Sequence, residues 1–523
     1  MTSFYKELHQ SDKMGDEKEN AQSRASVDKW IFRLLLLLLG LAPLIVLAHV
    51  EQVVSPLISN QETLISGTKG ELFTHFKALF ILVVTLIAGA LLLAKVFFMG
   101  GTIRKTFLNY ALSIFAIMIV ISTIASPSIS IALGGLYNRS DGAISWLCYV
   151  ALMFIAMNIE YPKYVMRYIL YTMMPFVVIN LFIITMNFYG KDLLQYDWIK
   201  SSVAILLPEG ANIGEDSQLL GTLNQWNYMS GMFAIMTVMY LMAAVLEKSK
   251  LNAYTYLVFS LMSVAILLMS ISTSGFLTII LIMPIIIIAA LRNEQKIKPL
   301  VILAVFILAA VPVFHVLASK EAHVWTESIG FVIKKNPYVE KKEEVSVEKN
   351  KYKLGQMSKV YAAEEFELPE LPVRKAGAAS GRIYIWDKSI ELVKERALLG
   401  YGMDTLMYNF PHTHIETRAN FWYDNVITDK PHSLYIGWVY GTGVLGFLSV
   451  MVVLLFSLIR SLKSVWKNNQ SIIWIIGVAW GAYLIQGIFN DSLPGISAPL
   501  WILVGIMMKF TLTTKEITNG RNN

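Results

Sequence analysis

His432 follows Pro431 and directly precedes a long apolar run, which sets it at a membrane surface. An imidazole there, with an unperturbed pKa of about 6.5, can take a proton from a hydroxyl as a general base. Its plainer use is a satisfied interfacial hydrogen bond. Upstream, Ser380-Gly381-Arg382 is followed by Trp386, Ile390 and Val393 at helical spacing and then by Gly400-Tyr401-Gly402. That pattern predicts an amphipathic helix capped by Ser380, with Arg382 in its first turn. Free N–H groups, the positive helix end and a guanidinium would converge on one spot, which suits a phosphate; the alternative is a solvated surface arginine. Arg139 is the one cation in the loop Gly134–Gly142, where it either grips a lipid phosphate or pairs with Asp141. Asn224 and Asn227 open another apolar run and either bind sugar hydroxyls or cap a helix. Asp491, after Asn490 at the end of a further run, either orients a base such as His432, pairs with an arginine, or is a plain helix-end carboxylate.

Other chemistries find less support. His412-x-His414 together with His432 raises a zinc reading, but the spacing matches no closed site and no carboxylates are patterned around it, so no metal is expected. GxxxxGK[ST], HExxH and GxSxG are all absent, so no nucleotide or other cofactor is expected. Cys148 is the single cysteine and can form no disulfide within the chain.

Those residues require a membrane scaffold to bring them together. The chain has 523 residues, 55% hydrophobic and 15% charged, with a mean hydropathy of +0.54. Soluble domains run nearer 45–50% apolar and about 25% charged, so a soluble enzyme, a disordered protein and a nucleic-acid binder are excluded. Of 81 charged residues, 34 lie between Lys320 and Lys430, 17 of each sign. The rest cluster between apolar runs at 30–50, 75–98, 107–125, 143–159, 164–187, 222–246, 253–271, 275–291, 299–318, 433–459, 471–489 and 496–512. With the N-terminus inside, the inner segments hold 20 Lys and Arg and the short outer loops hold 4, the bias that orients membrane proteins. The first 29 residues are too long and too acidic for a signal-peptide head, so the first run reads as an uncleaved anchor.

The expected fold is therefore an all-α polytopic membrane protein of about 12 transmembrane helices. It comprises a cytoplasmic tail (1–29), helices 1–9 (30–318), a large extracytoplasmic loop (319–430) between helices 9 and 10, helices 10–12 (431–512) and a cytoplasmic tail (513–523). Lys334 to Glu370 in the loop is Lys/Glu-rich and is expected to be mobile or locally helical, whereas Ser380 to Lys430 is aromatic-rich. Gly441, Gly443 and Gly446 predict close helix packing. A transporter or flippase for polysaccharide or lipid-linked glycan is the competing class. It would call for ionisable residues within the spans or repeated halves, and the polar groups gather on one face instead.

Together these segments resemble the O-antigen ligase and polysaccharide polymerase family of bacterial membrane glycosyltransferases. The resemblance rests on His432-Ser433, nine residues, then Gly443-Val444-Leu445-Gly446, and on Arg382-x-x-x-Trp386 followed by Gly400-Tyr401-Gly402. Gly221 to Asn227 is similar to the family's GTFxNxN helix start, and Gly134 to Gly142 to its GxxxRxxG loop. The resemblance implies a metal-independent, inverting glycosyltransferase at the outer face of the bacterial cytoplasmic (inner) membrane. Its donor would be a glycan on undecaprenyl (polyprenyl) diphosphate and its acceptor a glycan or lipid. Membrane lipid and polysaccharide-assembly proteins are the other expected partners, and nucleic acid is not. In that reading His432 takes the acceptor proton, Arg382 and Arg139 bind the diphosphate, and Trp386, Asn227 and Asp491 complete the substrate site. Polymerase is slightly favoured over ligase, because nothing points to one final acceptor. One departure stands out: in Ser272-Thr273-Ser274-Gly275, Ser274 occupies the place of an expected arginine, leaving Arg139 or Arg418 as replacements.

Overall fold

The computed structural model describes residues 2–58, 64–213, 217–223, 225–295, 297–339, 381–421 and 426–519. In chain order the helices are α1 (Thr2–Leu41), α2 (His75–Phe98), α3 (Phe107–Ile124), α4 (Ile129–Gly134), α5 (Ala143–Met157), α6 (Val165–Phe188), α7 (Asp197–Val203), α8 (Trp226–Leu246), α9 (Lys250–Met269) and α10 (Thr273–Leu291). They continue with α11 (Ile297–Lys320), α12 (His323–Thr326), α13 (Arg382–Glu395), α14 (Leu406–Asn409), α15 (Ile415–Asn420), α16 (Leu434–Asn468), α17 (Ser471–Phe489) and α18 (Pro494–Asn519). An antiparallel hairpin, β1 (His49–Val53) with β2 (Gly67–Glu71), follows α1. The protein is an all-α polytopic membrane protein with that one small hairpin.

Each predicted apolar run coincides with a helix, and among the described residues ten helices are long and apolar enough to cross a membrane. The other two are shorter than expected. The first run ends early because Pro43 closes α1 through a 3-10 turn at Ala42–Leu44, and the chain from His49 onward is strand rather than helix. Helix α5 has 15 residues, about 22 Å at 1.5 Å per residue, which falls short of the roughly 30 Å hydrocarbon core. Most of the charged half of the loop, from 340 to 380, lies outside the described residues.

Burial separates helices that face lipid from helices that form the core. Helix α8 is buried over 94% of its apolar window and α11 over 22%. Met229, Met232, Met236 and Met239 run down α8, filling irregular gaps against its neighbours. Helix α10 crosses α8 at Gly275, where a Cβ would lie 2.7 Å from the Ser230 carbonyl oxygen. Below the His432 end, Trp146 (α5), Trp438 (α16), Trp501 (α18) and Phe115 (α3) form one aromatic cluster, with Trp146 and Trp438 edge-to-face at 5.6 Å.

The aromatic half of the loop is folded. Ile385, Val393, Tyr401, Leu406, Phe410 and Phe421 make a small core with Tyr440 of α16. Its seat is a break in α16 at Gly443 (φ +69°, ψ 179°). The turn after α13 inserts there as a ladder: Tyr401 N–H donates to Tyr440 O (2.9 Å), Gly402 N–H to Gly441 O (3.0 Å), and Val444 N–H to Ala397 O (2.8 Å). Ser126 Oγ donates to Tyr401 O (2.6 Å) from beyond α3. The expected packing glycines Gly441 and Gly443 thus receive loop backbone rather than a second helix.

Gly400 is a tight point of the ladder, with φ +68° and no room for a Cβ, which would lie 2.6 Å from Gly441 O. Gly400→Ala is expected to cost about 2–3 kcal/mol from left-handed strain plus overpacking, seen as a lower Tm in nanodiscs. Gly437→Ala, whose Cβ would meet only Pro431 Cγ at 3.8 Å, should leave Tm nearly unchanged.

Candidate functional site

His432 lies in the linker between the loop core and α16, outside any helix, at φ +53°. Three contacts fix its flanks. Trp386 Nε1, from α13, donates to Pro431 O (2.8 Å); Leu434 N–H donates to Asn490 O (3.0 Å); and Ser433 Oγ donates to Gly487 O (3.4 Å). The ring is therefore held between α13 and the end of α17. Its Nδ1 stands 3.8 Å from Asp491 Oδ2, and that buried carboxylate oxygen has no hydrogen-bond partner among the described residues. Burial lowers the His432 pKa below its ordinary value, with Lys430 and Arg382 adding to it, while Asp491 and Asp429 pull the other way. At neutral pH the imidazole is uncharged.

Two cations flank His432. Arg382 begins α13 and is half-buried. Burial lowers its pKa, while Asp491 and Tyr228 oppose this. The residue in the cap position is Gly381, in a left-handed conformation, and not Ser380, which lies outside the described residues. Lys430 is buried, its Nζ 3.1 Å from the Tyr228 hydroxyl and 3.7 Å from Asp429 Oδ2. Burial alone would lower its pKa, but Tyr228 and Asp429 outweigh it and hold Lys430 above its usual value. Burial pushes the Asp429 carboxyl up, yet Lys430, Arg139 and His432 prevail and keep it below the usual carboxylate range.

Arg139 faces inward. It is ion-paired with Asp404 and lies 3.7 Å from Asp429 Oδ2, with only 6% of its side chain exposed. Asp404 Oδ2 also accepts from Leu136 N–H (2.8 Å), so one loop carboxylate holds both the backbone and the arginine of the 134–142 segment. Asp141, the partner expected for Arg139, instead accepts from Ser492 Oγ (3.0 Å), Tyr149 OH (3.2 Å) and Trp146 Nε1 (3.3 Å). Burial pushes its carboxyl up to about 7, against the lowering effect of Arg139 and these donors. Gly135 (φ +91°) and Gly142 pass too closely for a Cβ on either, so the loop ends are pinched together around Arg139.

The remaining sequence candidates fall in different places. Asn227 sits in the first turn of α8, where its Oδ1 accepts from Ser272 Oγ (2.9 Å), one residue before Tyr228. Asn224 lies outside the described residues. Trp386 reaches the site through Pro431 rather than through the reacting space. His412 is buried with Nε2 2.8 Å from Met407 O, and His414 is exposed; the pair does not converge on His432. Arg418 Nη1 donates to Val426 O (3.4 Å). Sequence reasoning missed Asp404, Asp429, Lys430 and Tyr228. Asp429-Lys430 directly precede Pro431-His432, so their charge beside the base was the available signal.

Residues 257–451 match the family model described as O-antigen ligase. This stretch is similar to the O-antigen ligase family. It contains Arg382, Trp386, Gly400, His432 and the Gly443 break, whereas Arg139, Asn227 and Asp491 lie outside the matched residues and are supplied by the helices around it. No curated protein matches the chain. The similarity to the O-antigen ligase family and the membrane-spanning helices support a membrane glycan-processing enzyme.

The His432 environment within the matched residues sets a titration. Its pKa lies below 6.5, so protonation, and with it loss of imidazole nucleophilicity, comes only as pH falls through that lower value. Site-resolved diethylpyrocarbonate labelling by mass spectrometry should show a midpoint below 6.5. In Asp491→Asn, which removes an influence raising the pKa, the midpoint should move further down.

Proposed function

We propose that the protein is a membrane glycosyltransferase that transfers or polymerises glycans carried on polyprenyl diphosphate, working at the membrane face that bears His432. The observation carrying this reading is His432, half-buried within the matched residues, with its Nδ1 3.8 Å from an Asp491 oxygen that has no hydrogen-bond partner among the described residues. The 20-to-4 bias of basic residues supports an outer-face site, cytoplasmic termini and the bacterial cytoplasmic membrane as its location.

In the reaction, His432 Nε2 accepts the proton of the acceptor hydroxyl. The hydroxyl oxygen uses its electron pair to form the new bond to the anomeric carbon. The bond from that carbon to the phosphate oxygen breaks, and the leaving polyprenyl diphosphate takes the electrons. Attack opposite the leaving group gives inversion. Asp491, 3.8 Å from Nδ1, attracts the imidazolium more strongly than the neutral ring, so it favours the transition state over the ground state. Arg382 and Lys430 offset the charge growing on the diphosphate. Lys430 takes the part of the arginine missing at Ser274, being the buried cation next to α8. Arg139, already engaged by Asp404, acts as a positioning residue for this wall, and Trp386 positions the base through Pro431.

The charges grouped around His432 at one membrane face favour this enzyme over a flippase. Nothing in the site marks one final acceptor, which leans the assignment towards polymerase rather than ligase. A deletion strain complemented with His432→Ala or Arg382→Ala tests the proposal, with membrane insertion checked in parallel. Both variants should insert, lose long polymer and accumulate lipid-linked glycan. Single stalled units identify a polymerase and long stalled chains a ligase. Wild-type polymer from both variants would overturn the catalytic assignment.

A further inference from the structure

On the same side of the bundle as His432, but in the β1–β2 hairpin rather than the matched domain, His49, Glu51 and His75 converge. The strand period of two sets His49 and Glu51 on one face of β1, with His49 Nε2 3.6 Å from Glu51 Oε2. His75 opens α2, and its ring stacks on that of His49 with centroids 3.5 Å apart. One nitrogen or oxygen from each of the three lies within 4.8 Å of the others, and all three side chains are half-buried. The neighbouring carboxylate is already committed. Glu71 Oε1 accepts from His75 N–H (2.7 Å), and Oε2 accepts from Phe73 N–H (2.6 Å) and Thr74 N–H (2.7 Å). Glu71 therefore fixes the backbone of His75 and leaves Glu51 as the free carboxylate. Glu51 and His75 also line a cavity of about 430 Å³ that Tyr137, Ser140 and Tyr408 close on the far side.

We propose that His49, Glu51 and His75 bind one divalent transition cation of the zinc class, with its fourth coordination position facing this cavity. Two imidazoles and one carboxylate suit zinc rather than calcium or magnesium, which prefer all-oxygen sets. A tetrahedral ion with ligands at about 2.0–2.1 Å holds two nitrogens roughly 3.4 Å apart, which asks for a closure of little more than an ångström from the present spacing. Because the ion must lie in the plane of each ring, binding turns one imidazole out of the stack. The bound cation would clip the hairpin to the start of α2. It is separate from His432, and no step of the transfer reaction runs through it.

The test is zinc chloride titration of the untagged, chelator-stripped full-length protein in nanodiscs, in competition with a chromophoric zinc indicator. Wild type should bind one equivalent. His49→Gln and His75→Asn, which retain polar side chains, should each bind at least about 10-fold more weakly, the loss that even outer-shell changes produce. Glu51→Gln should do the same, while His323→Ala and His414→Ala should bind as wild type. X-ray absorption of the loaded protein should show a mixed nitrogen and oxygen shell with imidazole scattering. Monodisperse chromatography of each variant separates lost binding from lost fold. An unaltered zinc equivalent in the His49→Gln/His75→Asn double variant, or no zinc bound by wild type, would overturn the proposal.

Discussion

The site depends on a helix that is broken so that a loop can be hydrogen-bonded into it. An uninterrupted α16 would spend the amides and carbonyls around residue 443 on itself. Gly443 leaves the helical conformation, and the carbonyls of Tyr440 and Gly441 and the amide of Val444 become partners for residues 397–402. A backbone excursion at this depth is tolerable only where its polar groups are satisfied by protein, and here the ladder satisfies them. Everything above is referred to that ladder. It sets where α13 ends, hence where Trp386 meets Pro431 and where Arg382 stands relative to His432. It also sets Asp404, whose carboxylate draws in the 134–142 loop and Arg139. Docking of this loop against α16 thereby orders the residues around His432.

The electrostatics of the site follow from how unevenly its charges are matched. Arg139 and Asp404 are paired with each other, and Lys430 has both Tyr228 and Asp429. Asp491 is matched less directly: its buried Oδ2 has no hydrogen-bond partner among the described residues and stands 3.8 Å from the His432 ring, while Arg382 and Lys430 act on it electrostatically. A proton on His432 would add a charge facing it. The walls are thus rigid by neutralisation, and the less closely paired carboxylate faces His432.

The scaffold was largely legible in the sequence, because membrane spanning imposes long apolar runs that loops cannot imitate. All twelve runs coincide with helices, and the end misjudged at residues 45–50 fell to a proline whose effect on α1 is local and readable in retrospect. Within the site, His432, Asp491 and Arg382 came together as their positions beside membrane helices suggested. Asp404 was invisible for a physical reason: its importance comes from a carboxylate that contacts residue 136, 268 positions away, and no local pattern encodes that. The glycines at 441 and 443 were read as helix-packing residues because small residues in a membrane helix usually serve that end, whereas their exposed backbone is what the loop uses.

Ser140, Asp404 and His432 all adopt positive φ without being glycine. Each such residue holds about 1 kcal/mol or more that glycine would not, and each belongs to a different segment of the site. Glycine gives back a similar amount in chain entropy, so the backbone gains or loses little by the exchange. What keeps histidine and aspartate at 432 and 404 is therefore the work of their side chains and not the comfort of the turn. The exchange is not neutral at 404, where loss of the carboxylate would strip the buried Arg139 guanidinium of its Asp404 ion pair and release the 134–142 backbone.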